Sequence, residues 1–269
     1  MDDGIADRRR PEVPCSDPKL VAAVTAARAG KSGKARQLGV FIKDANYKWP
    51  EGVICYNFDP MIVTQGLFRE AMKEYTDLGL RFIDINDCAK LYKPNGQKTN
   101  VCSDCRYHVD IIPDNPGCYG SVGFHPGKRM ELNVGDGCHE LNTYLHELGY
   151  VVGLNHEHQH PKRRVIIIKS EMKVDASEYV KFKEGERTTT AYDINSIMHY
   201  DGSEFCIPWF TPRGGFCDAD KAGNWHGWSG CMEPAKAHCS PVDRTVIGRA
   251  AHLTGHDKAN VRQLYNLRA

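Results

Sequence analysis

The sequence predicts an α+β fold with two lobes that enclose a cleft, on the basis of three features. Short runs of alternating apolar and polar residues, which are the pattern of strands, come mainly in the first half of the chain. Longer segments carry apolar residues every three or four positions, which is the pattern of amphipathic helices. Residues 206 to 241 are rich in Gly, Pro, Trp and Cys and follow neither period, so we expect a disulfide-tied loop region there. Strands that precede helices are typical of α+β proteins.

The strands are expected between the first ordered residues and the middle of the chain. Trp49-Pro50-Glu51-Gly52-Val53-Ile54 has the composition of a turn that leads into a strand. Alternating apolar residues then predict three further strands, Leu80 to Ile85, Tyr107 to Ile112 and Met130 to Val134. Together these segments predict a β-sheet.

Four helices are predicted, the first of them from apolar residues that recur at helical spacing. They are Gln65 to Leu78, about His139 to Val152, Ser170 to Phe182, and a last helix from Thr254 to near Leu267. Gly153 follows the second helix in the position of a C-terminal cap. Thr254 with Asp257 three residues later has the pattern of a capping box, which opens the last helix. The apolar stripes of these helices should face the core rather than a cofactor.

Composition narrows the class of protein. The chain has 269 residues, of which 41% are hydrophobic and 26% are charged, with a net charge of +1. A balance this close to neutral predicts no nucleic-acid partner and no anionic membrane surface. No apolar run approaches the ~20 residues that a membrane-spanning helix needs. We therefore expect a soluble domain that acts as a monomer.

Eleven cysteines spread along the chain predict disulfides and an oxidising compartment, so the protein is expected to be secreted although its first residues do not form a signal peptide. Residues 1 to 39 are charged and weakly patterned and are expected to be a propeptide or flexible leader, followed by one domain over residues 40 to 269. Disulfides are favoured over metal binding for Cys102-x-x-Cys105. Two local disulfides are also favoured over a second zinc site for the remaining group, which is Cys206, Cys217, Cys231 and Cys239.

The chemistry is predicted in the segment from His146 to Glu157. Zinc peptidases carry H-E-x-x-H on a helix, where two histidines at i and i+4 share one face and bind one zinc, and the glutamate acts as general base. The longer form adds a glycine that ends the helix and a third histidine. His146, Glu147, Gly153 and His156 all fall in this register, but the second ligand position is Tyr150. A Met-turn motif, Ser196-Ile197-Met198-His199-Tyr200, follows further along the chain.

With these residues the chain resembles the astacin family of metalloendopeptidases, within the metzincin clan, over residues 40 to 267. The resemblance is carried by four segments: His156-Glu157-His158, Ser196-Ile197-Met198-His199-Tyr200, the opening strand from Trp49 to Ile54, and Gly117-Cys118-Tyr119-Gly120-Ser121-Val122-Gly123. It implies a two-lobed metzincin fold with a twisted sheet and an active-site helix. It also implies a disulfide between Cys118 and Cys138.

The resemblance further implies the site residues and the activity. Zn²⁺ is the expected cofactor, His146 and His156 are expected ligands, and Tyr200 is an expected fifth ligand that stabilises the oxyanion. Glu147 is the expected base. Tyr150 occupies the remaining ligand position. The implied function is zinc-dependent hydrolysis of internal peptide bonds in protein or peptide substrates, from a zymogen.

Three departures from the family pattern matter. The first is Tyr150. The second is the segment from Gln159 to Arg164, whose sequence leaves the local salt bridges of the family in doubt. The third is a pair of positions, Gly79 and Leu267, where the family has two cysteines that bond to each other. Because both partners of one disulfide are replaced together, this departure supports the match to the family.

Tyr150 leaves three interpretations open. Its hydroxyl lies roughly 2 Å farther from the backbone than an imidazole nitrogen, whereas zinc bonds are ~2.0 Å long, and a phenol ionises only near pKa ~10. The chain is then an inactive variant of a protease, or a pseudoprotease that keeps the cleft as a peptide-binding module, or an enzyme with an unusual tyrosine ligand. Two further hypotheses concern the leader: Cys15 could block the zinc, and a mature ammonium near Val40 could pair with Glu157.

Overall fold

The computed structural model describes residues 45–87, 105–182, 191–219, 225, 230–240, 246–248 and 250–268 of the chain. The expected leader over residues 1 to 39, with Cys15, and the expected mature start near Val40 lie outside these residues. No helix in the described ranges is long and apolar enough to cross a membrane.

A five-stranded sheet forms the upper lobe. Its strands are β1 (Val53–Phe58), β2 (Arg81–Asp84), β3 (Val109–Ile112), β4 (Cys118–Gly120) and β5 (Met130–Val134). They lie in the order β2-β1-β3-β5-β4, in which β2, β1, β3 and β5 run parallel and β4 pairs antiparallel with β5 at one edge. The four predicted strands are confirmed: β5 has the predicted bounds, β2 and β3 are shorter than predicted, and β1 follows the predicted turn. Strand β4 was expected only as part of a family segment.

Two helices cover the sheet. Helix α1 (Gln65–Thr76) ends two residues before the predicted bound, and its apolar stripe of Phe68, Ala71, Met72 and Tyr75 is buried, as predicted. Helix α2 (Leu141–Val152) is buried on most of its surface and contacts α1, β4 and β5. This burial on several sides explains why α2 keeps a fixed position above the sheet, since its apolar residues contribute to the main core.

The carboxyl end of α2 is held by two aromatic side chains. The indole nitrogen of Trp49 donates to the carbonyl of Val151 at 2.8 Å, and the hydroxyl of Tyr265 donates to the carbonyl of Val152 at 2.9 Å. The last carbonyls of a helix have no partner within the helix, so these bonds satisfy groups that would otherwise be buried without one. Tyr265 belongs to α3 (Gly255–Tyr265), which opens on the predicted capping box of Thr254 and Asp257.

The lower lobe is irregular and is tied by disulfides. Strands β6 (Ile166–Ile167) and β7 (Phe205–Cys206) form a two-stranded sheet. Its hydrophobic cluster, separate from the main core, consists of Val165, Ile167, Tyr179, Tyr192, Phe205, Cys217, Trp225 and Ile247. The bonds Cys206–Cys239 and Cys217–Cys231 confirm the prediction of two local disulfides in the inserted segment.

Two further disulfides lie in the upper lobe. The Cys118–Cys138 bond that the family resemblance implied is present. Cys105 bonds to Cys55 of β1 rather than binding a metal, which agrees with the expectation that it pairs as a disulfide. Gly79 and Leu267 lie side by side, since a Cβ added to Gly79 would meet the Leu267 side chain at 3.4 Å. The two positions where the family has bonded cysteines are therefore neighbours here too.

The predicted helix from Ser170 to Phe182 is wrong. The chain instead forms two short 3₁₀ turns, Lys169–Glu171 and Ala176–Tyr179. The backbone amide of Lys173 donates to the Glu204 carboxylate and that of Phe182 donates to the carbonyl of Gln159. An α-helix needs its amides for its own i−4 carbonyls, so these tertiary bonds prevent one.

Candidate active site

The end of helix α2 brings distant residues of the motif together. Gly153 adopts a left-handed conformation with φ of 100°, which favours glycine, and its amide donates back to the helix. The amide of Leu154 donates to the carbonyl of Gly149 at 2.8 Å and completes the reversal. The chain then returns along the helix, so that His156 lies beside Tyr150 and His146.

The Met-turn, residues Ser196 to Tyr200, lies beneath the helix. A Cβ added to Gly149 would meet the Met198 sulfur at 2.4 Å, so only glycine lets the two segments approach this closely. Asp257 of α3 holds the turn from the other side, where it accepts hydrogen bonds from the Ser196 hydroxyl at 2.6 Å and the Ile197 amide at 3.0 Å. Asp257 was predicted only as a helix cap, and no sequence pattern showed its second contact.

The hydroxyl of Tyr150 lies between the two motif histidines. It is 3.1 Å from Nε2 of His146 and makes a direct, very short contact with Nε2 of His156. The tyrosine is 4% exposed and His156 is 6% exposed, so water does not compete for these contacts. The three side chains form one buried polar cluster in which the Tyr150 hydroxyl joins the two imidazoles.

A single arrangement of hydrogens satisfies this cluster. Nδ1 of His146 lies 2.7 Å from the carbonyl of Ile197, which only accepts, so Nδ1 carries a hydrogen. In a neutral imidazole Nε2 is then an acceptor, and the Tyr150 hydroxyl donates to it. The Tyr150 oxygen in turn accepts from Nε2–H of His156. The order of donation is therefore His156 to Tyr150 to His146 to Ile197.

Burial sets the ionisation of the groups around the cluster. Loss of solvation lowers the pKa of His156 well below its usual range and also lowers that of His146. Both imidazoles are therefore neutral near pH 7. Burial also raises the pKa of Glu147 to about 8. Within the described part of the chain, Oε2 of Glu147 is buried and has no hydrogen-bond partner.

Tyr200 forms one wall of the site in a stack of aromatic rings. Its ring lies 4.0 Å from that of His158 at an interplanar angle of 29°, and 4.3 Å from that of His156. The structure thus brings together four of the five expected site residues, which are His146, Tyr150, His156 and Tyr200. The fifth, Glu147, follows His146 on helix α2 and is buried. The outer strand β4 passes over α2, since a Cβ on Gly120 would meet the Glu147 carbonyl at 2.8 Å.

These side chains do not fit the zinc centre that the motif implies. Zinc bonds to nitrogen or oxygen are ~2.0–2.1 Å long, so two ligand atoms of a tetrahedral zinc lie roughly 3.3 Å apart. The Tyr150 hydroxyl bonds Nε2 of His156 directly and lies 3.1 Å from Nε2 of His146, so it occupies the space between the two nitrogens in which a zinc would have to lie. Among the described residues, no group of three or more His, Cys, Asp or Glu side chains is arranged to hold a metal ion.

A helix that ends at Gly153 and returns the chain to His156, with a Met-turn beneath it, is characteristic of the metzincin class of endopeptidases. A family model described as Astacin, a family of peptidases, matches residues 41–212 of this chain. The chain therefore belongs to the astacin family, whose members are zinc metalloendopeptidases.

Individual relatives support this membership. The chain is 33% identical to astacin-like metalloprotease toxin 1 of Loxosceles intermedia over 163 residues, which cover 58% of this chain and 55% of the toxin. It is 37% identical to zinc metalloproteinase nas-5 of Caenorhabditis elegans, over 61% of this chain and 43% of that protein. The chain thus spans about half the length, or less, of these curated relatives. In fold it resembles high choriolytic enzyme 1, a hatching enzyme zinc-protease of the medaka Oryzias latipes, with a TM-score of 0.53, 21% identity and coverage of 88% and 98% of the two chains.

The segment from Gln159 to Arg164 departs from the family sequence, and it forms a salt bridge with a residue of the inserted segment. Arg163 is fully buried and pairs with Asp218, which belongs to the inserted cysteine-rich segment. This pair was not predicted from the sequence, because the two residues are 55 positions apart and their segments have no common pattern.

Proposed function

We propose that this chain is an astacin-type endopeptidase acting on internal peptide bonds of proteins, whose hydrolytic activity is impaired by Tyr150. The observation that carries the proposal is the cluster in which the Tyr150 hydroxyl lies between the nitrogens of His146 and His156. Glu147 and Tyr200 are present beside it, and we assign them the roles of base and oxyanion-stabilising group. The scaffold is that of a peptidase, and the metal position is the altered part.

Zinc is the cofactor of the family, and His146, His156 and Tyr200 would hold it, with Tyr150 in the remaining position, only if the Tyr150 hydroxyl left the two imidazoles. Because the Tyr150 hydroxyl already bonds both imidazoles, no hydrolytic step through zinc is assigned to the chain as it stands. Metal entry requires that this hydroxyl withdraw and that His156 move its hydrogen from Nε2 to Nδ1. Both changes oppose binding.

The same cluster favours a second function, that of a pseudoprotease that binds peptides without cleaving them. The cluster satisfies its own hydrogen bonds, so the cleft does not depend on a metal for its shape. β4 is the outer strand of the sheet, and an extended peptide can add to such an edge through main-chain hydrogen bonds. The substrate or ligand in either case is a protein or peptide.

Assays of peptide hydrolysis and of peptide binding distinguish the two proposed functions. The natural chain, Tyr150→His and the double variant Tyr150→His with Glu147→Gln are compared for cleavage of a denatured protein, with and without a chelator. We expect cleavage only from Tyr150→His, abolished by the chelator, while the double variant serves as the control that binds metal without its base. A Tyr150→His protein that holds one zinc yet cleaves no substrate, while the natural chain binds peptide, would favour the pseudoprotease.

We also propose that the protein is secreted and works as a monomer without nucleic-acid or membrane partners. Four disulfides among the described residues support an oxidising compartment. Residues 1 to 39 are proposed as a leader that is removed from the domain over residues 40 to 269. Mass spectrometry of the protein collected from the medium of expressing cells tests secretion and leader removal. It gives the first residue of the secreted protein and shows whether the disulfides are formed.

A further inference from the structure

The guanidinium of Arg163 lies fully buried next to the candidate site. One terminal nitrogen donates to the carbonyl of His158 at 2.6 Å and to the carbonyl of Tyr179 at 2.8 Å. The other terminal nitrogen bonds the carboxylate of Asp218. A buried cation of this kind requires a charged partner, because desolvation without one is costly.

Asp218 comes from the inserted segment that begins at Cys206. It follows Cys217, whose disulfide to Cys231 packs into the hydrophobic cluster of the lower lobe together with Tyr179. The backbone of this segment is held as well, since the amide of Cys217 donates to the carbonyl of Met232 at 2.9 Å. The insertion thus presents one carboxylate at a defined position to Arg163.

The two carbonyls that Arg163 holds belong to residues that surround Tyr200. The His158 ring stacks on Tyr200, and the Tyr179 ring lies edge-on to Tyr200 at 6.3 Å. His158 also lies 4.6 Å from His156, ring to ring. A displacement of the guanidinium would therefore shift the two walls between which Tyr200 is packed.

We propose that Asp218 is a positioning residue, through which the inserted segment orders Arg163 and thereby the placement of Tyr200 in the site. Lys181 also approaches Asp218, at 3.4 Å, but its amino group bonds the backbone carbonyl of Arg163 rather than the carbonyls of the Tyr200 stack, so it does not replace this role. The proposal rests on the assignment of Tyr200 to the site, and it does not require that the chain hydrolyse peptides.

Chemical modification of Tyr200 tests the proposal on the full-length chain. Nitration by tetranitromethane at a temperature far below unfolding is followed residue by residue by peptide mass spectrometry, with Tyr119 of the sheet as the internal reference. In Asp218→Asn, which removes the charge at nearly constant shape, we expect Tyr200 to nitrate about tenfold faster, as loss of a charge-assisted hydrogen bond predicts. Tyr119 should not change.

Two variants separate positioning from a general loss of stability. Glu233→Ala loosens the same inserted segment, because Glu233 accepts from the Trp225 indole at 2.8 Å, but it leaves Arg163 untouched and should not alter Tyr200. Asp218→Glu keeps the charge and should restore most of the protection. If Asp218→Asn does not fold, Asp218→Ser replaces it in the same comparison. Equal nitration of Tyr200 in the Asp218 and Glu233 variants would overturn the proposal, whatever the outcome of the hydrolysis experiment.

Discussion

Replacing Tyr150 by phenylalanine removes one oxygen atom from the centre of the site and nothing else. Nε2 of His146 and Nε2 of His156 both lose their partner, and a buried polar group without a hydrogen bond costs about 1–3 kcal/mol. His146 is only half-buried, so water replaces part of its lost bond, and we expect the two losses together to lower the free energy of unfolding by about 2–4 kcal/mol. For a domain of this size, 1 kcal/mol lowers the melting temperature by about 2–4 °C. We therefore expect Tyr150→Phe to melt roughly 5–15 °C lower, with or without zinc.

Tyr150→His should respond to metal where the other two proteins do not. A third imidazole in place of the phenol gives the donor set that zinc prefers. Zinc at a hundred times its dissociation constant stabilises the folded state by ~2.7 kcal/mol, or about 5–10 °C in melting temperature. The natural chain and Tyr150→Phe should show no shift on adding zinc or a chelator. Elemental analysis of each purified protein gives the matching stoichiometry.

Tyr144→Phe is the matched control for these measurements. Tyr144 lies on the same helix, and its hydroxyl bonds Thr64 at 2.5 Å and His139 at 2.9 Å, away from the site. Its loss should destabilise the protein without changing the response to zinc. Two results would contradict this role of Tyr150: a natural chain that held one zinc and lost stability on chelation, or a Tyr150→Phe variant with the same melting temperature as the natural chain.

Three smaller predictions concern the frame of the site. Gly149→Ala should lower the free energy of unfolding by about 1–3 kcal/mol, because the added Cβ would lie 2.4 Å from the Met198 sulfur; denaturant titration measures it, and an unchanged midpoint would contradict it. Asp257→Ala should lower the free energy of unfolding by about 2–4 kcal/mol, because Asp257 bonds both the Met-turn and its own helix. Amide hydrogen exchange in the Met-turn should become faster. Exchange as slow as in the natural chain would contradict this link. Replacing Cys217 and Cys231 by serine opens a loop with a sequence separation of 14 residues, which should cost about 3 kcal/mol; a loss below ~1 kcal/mol would mean that the segment stays ordered without the bond.

Local pattern determined most of the upper lobe. The apolar spacing from Gln65 onward predicted α1 because one face of a helix must be buried, and that face is buried. Gly153 and the pair of Thr254 with Asp257 predicted helix ends correctly because caps depend on backbone groups within a few residues. The family motif likewise predicted the Cys118–Cys138 bond.

Tertiary contacts determined the lower lobe and the state of the site. Ser170 to Phe182 has helical spacing, yet its amides bond Glu204 and Gln159, which are distant in sequence. The Asp218–Arg163 pair and the Cys55–Cys105 bond likewise join segments that share no period. The sequence alone identified Tyr150 as the unusual residue, because a motif gives each position an expected residue type. Only the folded chain shows that its hydroxyl bonds both histidines, since that depends on where the return from Gly153 places His156.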